Sequence, residues 1–472
     1  MNNRYKRLGK NSIIVFIGNA GSRIIGLVML PFYTHFLSKE EYGTSDLINT
    51  YSSILLAIVT CCLADAIFIF PKDKSDLEKR EFFTSGLVFV FLSFFLVAIL
   101  AFVVQYFLGE GFLNSYIWWI WAMTLGHFLT NYTQQFTRSI DKMIVYSMTG
   151  VVNVLFIAFF SLILLPSYKL NGYLMALFLA NILSSSFAII TSKSYKYIRF
   201  RDFNGKSLKK LLKYGIPLIP NSLMWWLVDG LNRPVMVANL GMESIGIYAV
   251  ANKIPSILTM LFVIFSNAWT ISMLEEFKKP DFNAFFNKTI RFLFLVIALG
   301  TIILIMSSKL LVGMFASEAF FDAWMYVPVL TLGVIFQNLS SLIGGVFAAE
   351  KKSKYFFYSS LWGAVSSIFF TVIFVKLWGL MGACIAITCS FLCMALARLK
   401  YAWVHINMFD IKYYAVVIFA LVFFSTVYIN NKGFFYDLIA MLLSVIAIIA
   451  MNFREIKVIV GVLNNRFFEN KK

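Results

Sequence analysis

Apolar residues occur along the chain in long continuous runs, and short clusters of charged residues separate each run from the next. About 20 apolar residues are what an α-helix needs to cross a bilayer, whereas a membrane β-strand would alternate apolar and polar positions over about ten residues. The pattern therefore predicts an all-α integral membrane protein with about fourteen transmembrane helices. The predicted spans are 11–36, 43–70, 84–107, 115–137, 144–166, 171–192, 214–240, 245–273, 289–308, 322–347, 355–378, 380–400, 413–430 and 435–453.

The composition excludes a water-soluble fold. Of 472 residues, 60% are hydrophobic and 14% are charged, whereas about a quarter of the residues in a soluble domain are charged. The net charge of +18 would suit a nucleic-acid partner, but the charges cluster at one face of the membrane, where topology and anionic headgroups explain them. Membrane lipids are therefore expected partners, and nucleic acid is not.

The positions of lysine and arginine predict the orientation, because these residues concentrate in cytoplasmic loops. With the N-terminus inside, the inner segments carry 33 of the 41 Lys and Arg residues, and the outer loops carry five. Eight of them lie in one inner loop, 193–213. A missed or extra helix would mix the two sets, so the asymmetry supports fourteen spans with both termini cytoplasmic.

An internal repeat with an offset of 203 residues relates the first and second spans to the seventh and eighth. The offset contains six spans, an even number, which predicts two parallel six-helix lobes around a central cavity and alternating access by rocking. We expect an N-terminal lobe (1–192), a flexible basic linker (193–213), a C-terminal lobe (214–400), and two further helices with a cytoplasmic tail (401–472). The most informative identities are Pro31 with Pro234, Glu40 with Glu243, Gly43 with Gly246 and Asn49 with Asn252.

Charged residues within the predicted spans are candidates for function, because a charge at the bilayer centre costs about 2.5–3.5 kcal/mol on insertion scales. Asp46 lies near a helix end, where we expect it to be solvated. The candidates are Arg23, Asp46, Asp65, Asp229, Arg233 and Lys253.

Polar residues recur every three to four positions on three spans, which places them on one face of each helix. Such faces are expected to line a cavity rather than to face lipid. The stripes are Asn19, Ser22, Arg23 and Gly26 in the first span, His127, Asn131, Gln134 and Arg138 in the fourth, and Asn221, Trp225, Asp229 and Arg233 in the seventh.

Two cations are predicted at one depth in the membrane. Arg233 and Lys253 lie ten residues on either side of position 243, in the middle of an outer loop. In an antiparallel hairpin both would lie about 10–12 Å below the outer surface, with Arg23 nearer the midplane. This arrangement suits a polyanionic group such as a pyrophosphate, which a planar guanidinium binds through two hydrogen bonds.

Each of these residues also has a structural interpretation. Asp229 and Arg233, one helical turn apart, would neutralise each other, and the Lys253 side chain could extend to the membrane surface. Asp65 is either a ligand for a coupling ion or a partner for Arg23. The sequence does not decide between these interpretations.

No metal or disulfide constellation is visible, because the five cysteines fall within apolar spans and lack the paired spacing of such sites. His127 is interpreted as a core histidine, and Trp225 either packs or forms a platform for a sugar ring. No cofactor is expected. Either a proton or a Na⁺ gradient could drive transport.

Two segments resemble a known family. The run PFYTHFLSKEEYGTSDLI from Pro31 and the run LNRPVMVANLGMESIGIYAVANKIP from Leu231 are similar to the signatures of Wzx-type polysaccharide flippases of the multidrug/oligosaccharidyl-lipid/polysaccharide exporter (MOP) superfamily. In that family the seventh-span signature usually reads Asp-Arg, and the eighth-span signature ends in Lys. Arg233 and Lys253 fill the basic positions, whereas Asn232 replaces the acid, which leaves Asp229 as a substitute.

The resemblance implies that the chain transfers an undecaprenyl-pyrophosphate-linked oligosaccharide repeat unit, for instance of an O-antigen lipopolysaccharide, to the outer leaflet of a bacterial cytoplasmic membrane. It also implies a polysaccharide polymerase and chain-length machinery as partners. The candidate substrate-binding residues are Arg23, Arg233, Lys253, Asn19, Asn221, Trp225 and Asn252, with Asp229 and Asp65 as coupling residues or charge partners.

Three other functions remain open. A drug antiporter of the same superfamily would share the fold, but a site for cationic drugs is expected to be acidic and aromatic, whereas this chain places three basic residues in its spans. The lipid II flippase of cell-wall synthesis shares the cationic pattern, and the signatures argue against it. A membrane-embedded polysaccharide-modifying enzyme would need acid–base groups at a membrane face, and the sequence shows no such constellation.

Overall fold

The structure is a computed structural model that describes residue 18 and residues 21–107, 111–277, 279–350, 352–404, 406, 410–430 and 433–453. Within these ranges the ordered elements are helices, and no strand occurs. Residues 21–28 are helical and lead into α1. The α-helices are α1 Leu30–Phe36, α2 Lys39–Val59, α3 Leu63–Ile69, α4 Asp76–Phe107, α5 Phe112–Ser139, α6 Met143–Ser192, α7 Gly205–Gly215, α8 Ile219–Asp229, α9 Asn232–Leu240, α10 Met242–Lys253, α11 Ser256–Glu276, α12 Phe282–Met306, α13 Ser308–Phe315, α14 Val327–Glu350, α15 Ser353–Ala402, α16 Ile411–Ile429 and α17 Phe434–Met451.

These helices confirm an all-α, multi-pass membrane protein and are consistent with fourteen spans. Two helices of 50 residues, α6 and α15, contain a break at Lys169 and at Trp378–Gly379, so each accounts for two predicted spans. Among the described residues, seven helices are long and apolar enough to cross a membrane, or nine if two bent pairs each form one span. The first, fourth and seventh spans are outside that set, and these are the spans with the predicted polar stripes.

Three spans are bent or interrupted. In the second, α2 and α3 meet at 57°, and Cys61 and Cys62 between them adopt left-handed conformations with φ of 49° and 52°. In the eighth, α10 and α11 meet at 41° beside Pro255, which has no amide hydrogen for the helix ladder. The seventh span, predicted as one helix, consists of a 3₁₀ turn (Ile216–Leu218), α8 and α9, with turn residues 230–231 between the two α-helices.

Contacts divide the chain into two units, residues 1–249 with 315–320 and residues 250–314 with 321–472. The lobes predicted from the repeat, 1–192 and 214–400, are defined by sequence similarity and not by contacts. That division stays a prediction. The first unit has an aromatic core, in which Phe83 stacks on Phe136 with ring centroids 4.1 Å apart. The buried Tyr132 hydroxyl donates to the Phe83 carbonyl at 3.0 Å, which ties α5 to α4.

The segment 193–213, predicted as a flexible linker, is bonded to α4 in the first unit. The Glu81 carboxylate accepts hydrogen bonds from the Asn204 amide side chain and from the Ser207 hydroxyl, each at 2.9 Å. The Asn204 backbone N–H donates to the Ser85 hydroxyl at 2.9 Å. The prediction rests on basic composition, but short polar side chains give this backbone defined partners, so the segment is not a free linker.

In the second unit, Arg398 is fully buried in α15, although the positive-inside count takes it as a residue of a cytoplasmic loop. Its Nη1 donates to the Ser340 carbonyl at 2.8 Å, and its guanidinium lies 4.3 Å from the centroid of the Phe356 ring. Ser359 and Ser360 provide hydroxyl oxygens at 3.3 and 3.4 Å. Small polar residues on neighbouring helices therefore accommodate a charge near the end of the predicted span 380–400.

Candidate functional site

In the first unit, α2 packs along α8 and α9, and the candidate site is built on this packing. The Trp226 indole N–H donates to the Thr50 carbonyl at 2.9 Å. Nearer the end of α2, the Cys62 sulfur and the Ser222 hydroxyl oxygen lie 3.7 Å apart. These contacts place the seventh span directly against the second.

Arg233 forms the charged contact between α9 and α2. Its Nε donates to the Asp46 carboxylate at 2.5 Å, with the arginine side chain 9% exposed and the aspartate side chain 27% exposed. Its Nη1 donates to the Asp229 backbone carbonyl at 2.8 Å, and the guanidinium lies 5.2 Å from the centroid of the Tyr248 ring. A charge-assisted hydrogen bond and a cation–π contact together hold this buried charge.

The carboxylate partner of Arg233 is thus Asp46, which the sequence analysis expects to be solvated. The turn at 230–231 lies between Asp229 and Arg233, and both of its residues keep right-handed helical backbone angles. Asp229 contributes its backbone carbonyl, one of the groups that a helix end leaves without an intrahelical partner. The Asp229 carboxylate also interacts favourably with the charge of Arg233, so Asp46 is the hydrogen-bonded partner and Asp229 is an additional charge partner.

Two glycines from the internal repeat lie where α2 and α10 cross. A Cβ atom at Gly43 would overlap the carbonyl oxygen of Met242, and a Cβ atom at Gly246 would overlap the carbonyl oxygen of Lys39. The offset of 203 relates Gly43 to Gly246 and Lys39 to Met242, so the contact is mutual, as a two-fold relation requires. Glycine at both positions permits the backbones to approach closely.

The other predicted residues occupy different places. Arg23, in the helical stretch 21–28, and Asp65, in the first turn of α3, are accessible. Asn221, Trp225 and Asp229 lie on α8, where the first two are partly buried and the third is accessible. Lys253 and Asn252 end α10 in the second unit, and their level relative to Arg233 stays a prediction. Asn19 lies outside the described residues.

Sequence reasoning missed Asp46 and Tyr248 as partners of Arg233. The available signal was the repeat, because Asp46 follows Gly43 by three residues and Tyr248 follows Gly246 by two. Residues next to a mutual helix crossing are well placed to reach across it. No group of three potential metal-binding side chains occurs in the part of the chain that the structure describes.

The sequence and the fold of this chain were compared with those of known families and solved structures. The sequence profile of a family described as polysaccharide biosynthesis protein matches residues 8–275. No curated protein is significantly similar in sequence. Solved structures, however, share the fold over most of the chain.

One of these structures is the lipid II flippase MurJ in an inward closed conformation, with 16% identity, a TM-score of 0.69, and coverage of 95% of this chain and 99% of that chain. A multidrug resistance MATE family transporter of the MOP superfamily, in an inward-facing conformation, has 14% identity, a TM-score of 0.65 and coverage of 84% and 99%. A MOP superfamily transporter from Pyrococcus furiosus has 15% identity, a TM-score of 0.59 and coverage of 86% and 96%. At these identities the likeness shows the fold alone.

Proposed function

Because the profile match covers more than half of its length, this chain belongs to the polysaccharide biosynthesis protein family, and we propose that it is a flippase for lipid-linked oligosaccharides. The substrate in this proposal is an undecaprenyl-pyrophosphate-linked repeat unit, which moves from the cytoplasmic to the outer leaflet of a bacterial inner membrane. The product would supply a polysaccharide polymerase and its chain-length machinery.

The buried guanidinium of Arg233 carries the proposal. Intramembrane ionisable residues mark substrate and ion pathways, because their insertion is unfavourable without a role. Arg23, Arg233 and Lys253 all lie within the matched residues 8–275, and cations suit a pyrophosphate far better than they suit a cationic drug. MATE transporters share the fold at similar TM-scores, so the fold does not choose between these substrates, whereas the family and the cations favour the lipid-linked anion.

The Arg233–Asp46 contact suggests how binding is linked to opening. In the structure, the Asp46 carboxylate accepts the hydrogen bond from Nε of the Arg233 guanidinium. A pyrophosphate presents more negative charge and more acceptor oxygens, so it competes with Asp46 for the same donors. Once Arg233 turns to the substrate, the crossing of α2 with α9 loses its ion pair and can separate. Asp65, accessible in α3, is our candidate for coupling this step to a proton or Na⁺ gradient.

The test is a transport assay on cells that depend on this chain for surface polysaccharide. Arg23→Ala, Arg233→Ala and Lys253→Ala should each cause lipid-linked repeat units to accumulate in the inner leaflet at normal protein levels. Arg233→Lys should restore only part of the transport, because lysine keeps the charge but lacks the planar pair of donors. Lys376→Ala, at an exposed position of a predicted outer loop, is the matched control. Normal transport by all three alanine variants would contradict the proposal.

A further inference from the structure

A cavity of about 720 Å³ opens in the first unit beside the break in α6. Its volume lies within the range of roughly 300–1,000 Å³ that is usual for small-molecule sites. The start of α2, the start of α5 and the α6 break form its walls, and all three are on the outer side in the predicted topology. The lining groups that matter here are Glu40, Tyr116, Trp119, Tyr168, Lys169 and Asn171.

These groups combine flat apolar rings with strong hydrogen-bonding atoms. Tyr116, Trp119 and Tyr168 offer ring faces, and each ring also carries a polar atom. The carboxylate of Glu40 only accepts hydrogen bonds, whereas the ammonium of Lys169 only donates them. A sugar ring has the complementary chemistry, with apolar C–H faces and an edge of hydroxyl groups that both donate and accept.

The backbone at the break is unusual for the residue that occupies it. Lys169 has φ 44° and ψ −125°, a conformation that suits glycine. A second copy of the same turn occurs in α15, where Gly379 has φ 56° and ψ −134°. An offset of 210 residues relates the two turns, and in each a glycine packs against the carbonyl of the residue eight positions earlier, Gly172 on Leu164 and Gly382 on Phe374.

The two turns differ in their polar residues. At three matched positions the α15 copy has apolar residues or glycine, so closure does not need hydrogen-bonding side chains at those positions. The α6 copy has polar side chains at the corresponding places, and all three line the cavity. The matched pairs are Ser167 with Leu377, Lys169 with Gly379 and Asn171 with Met381.

We infer that this cavity is a binding site for an uncharged oligosaccharide, namely the glycan part of the lipid-linked substrate after it reaches the outer side. Glu40 and Glu41 in the wall disfavour phosphate and acidic sugars by like-charge repulsion. The identity of the ligand rests on the proposed function, whereas the cavity and its polar turn do not.

The experiment measures binding of a soluble glycan to the full chain in lipid nanodiscs. The probe is the repeat-unit oligosaccharide released by mild acid from the lipid-linked precursors of the organism that carries this chain. Titration calorimetry gives the affinity, and saturation-transfer NMR identifies the sugar protons in contact. Glu40→Gln should weaken binding about tenfold, the loss expected for one charge-assisted hydrogen bond.

Lys169→Gly separates binding from folding, because glycine fits the backbone of this turn. We expect an unchanged or higher Tm together with weaker glycan binding, whereas a lysine with a purely structural role would leave binding unchanged. Trp119→Ala should also weaken binding, because Trp119 lines the cavity. Its control is Trp118→Ala, since Trp118 is the adjacent ring but bonds to Gln105 outside the cavity. Lys376→Ala is the control for loss of an outer positive charge.

The possible results are distinct. Weaker binding by Glu40→Gln and Lys169→Gly, with both controls within twofold of the unaltered chain, supports the inference. No glycan binding by a chain that still flips the lipid-linked unit would overturn the inference and leave the proposed function intact. Equal binding by all variants would also overturn it. A chain that neither binds the glycan nor flips the lipid-linked unit would contradict both.

Discussion

Removing the Arg233–Asp46 pair one side at a time, and then together, separates its contribution to stability from its role in transport. Asp46→Ala leaves a guanidinium that is 9% exposed, with the Asp229 carbonyl and the Tyr248 ring as its neighbours and the Asp229 carboxylate as its remaining opposite charge. We expect a loss of about 3–5 kcal/mol in the free energy of unfolding, as for other buried charges that lose a partner. Arg233→Ala leaves a carboxylate that is 27% exposed, so water compensates and the loss should be about 1–3 kcal/mol.

The double replacement Asp46→Leu with Arg233→Met removes both charges together. Apolar replacement of a buried ion pair is often close to neutral, so this variant should be more stable than Asp46→Ala. With the single variants Asp46→Leu and Arg233→Met it completes a double-mutant cycle, and the coupling energy should lie near the upper end of the range of roughly 0.5–3 kcal/mol seen for contacting residues. Unfolding in mixed detergent and SDS micelles measures these free energies.

Transport distinguishes the two roles of Arg233. If the guanidinium binds the substrate pyrophosphate, the double variant should be stable but should still accumulate lipid-linked repeat units in the inner leaflet. Protein levels must be matched, and Lys376→Ala provides the control for a lost positive charge. A stable double variant that transports normally would refute the substrate role of Arg233 and leave only the structural one.

Three further predictions concern topology, the helix crossing and the bonded segment. A cysteine at position 204 should be labelled only from the cytoplasmic side, because the positive residues cluster there, and labelling from outside intact cells would disprove the orientation. Gly246→Leu should prevent close crossing of α2 and α10, since the leucine side chain would overlap the Lys39 carbonyl. The yield of cross-linking between cysteines at 36 and 239 should therefore fall. An unchanged yield would show that the crossing tolerates the side chain. Glu81→Ala should expose segment 193–213 to trypsin in inside-out vesicles, because its bonds to Asn204 and Ser207 are lost. Glu78→Ala, on the same helix but bonded to Ser75, should leave the digestion rate unchanged.

The helical fold could be predicted from the sequence because the membrane leaves the backbone few choices. Every amide in the apolar core needs a partner within its own segment, so an apolar run of sufficient length becomes a helix. The breaks were harder to foresee. Cys61 and Cys62 bend the second span with residues that carry no turn signal, and the turn at 230–231 interrupts the seventh span between Asp229 and Arg233.

Contacts between helices were the part that sequence spacing could not supply. Asp46 and Arg233 are 187 positions apart, and a helical period says nothing about which distant residue faces a given side chain. The repeat carried part of this information, since it relates Gly43 to Gly246, which prove to lie in mutual contact. It could have directed attention to Asp46, which follows the first of these glycines by three residues within α2.

The internal repeat also shows where chemistry has been added to a common scaffold. Positions that match between copies, such as Gly43 and Gly246, shape the crossing of two helices and need no charge. Positions that differ in kind are those at which we propose binding sites: Arg233 corresponds to the buried Leu30, and Lys169 corresponds to Gly379. Gly379 shows that the turn closes without a lysine side chain, and Leu30 shows that a helix forms without the guanidinium at that position. We therefore propose that Arg233 and Lys169 bind different parts of one lipid-linked glycan.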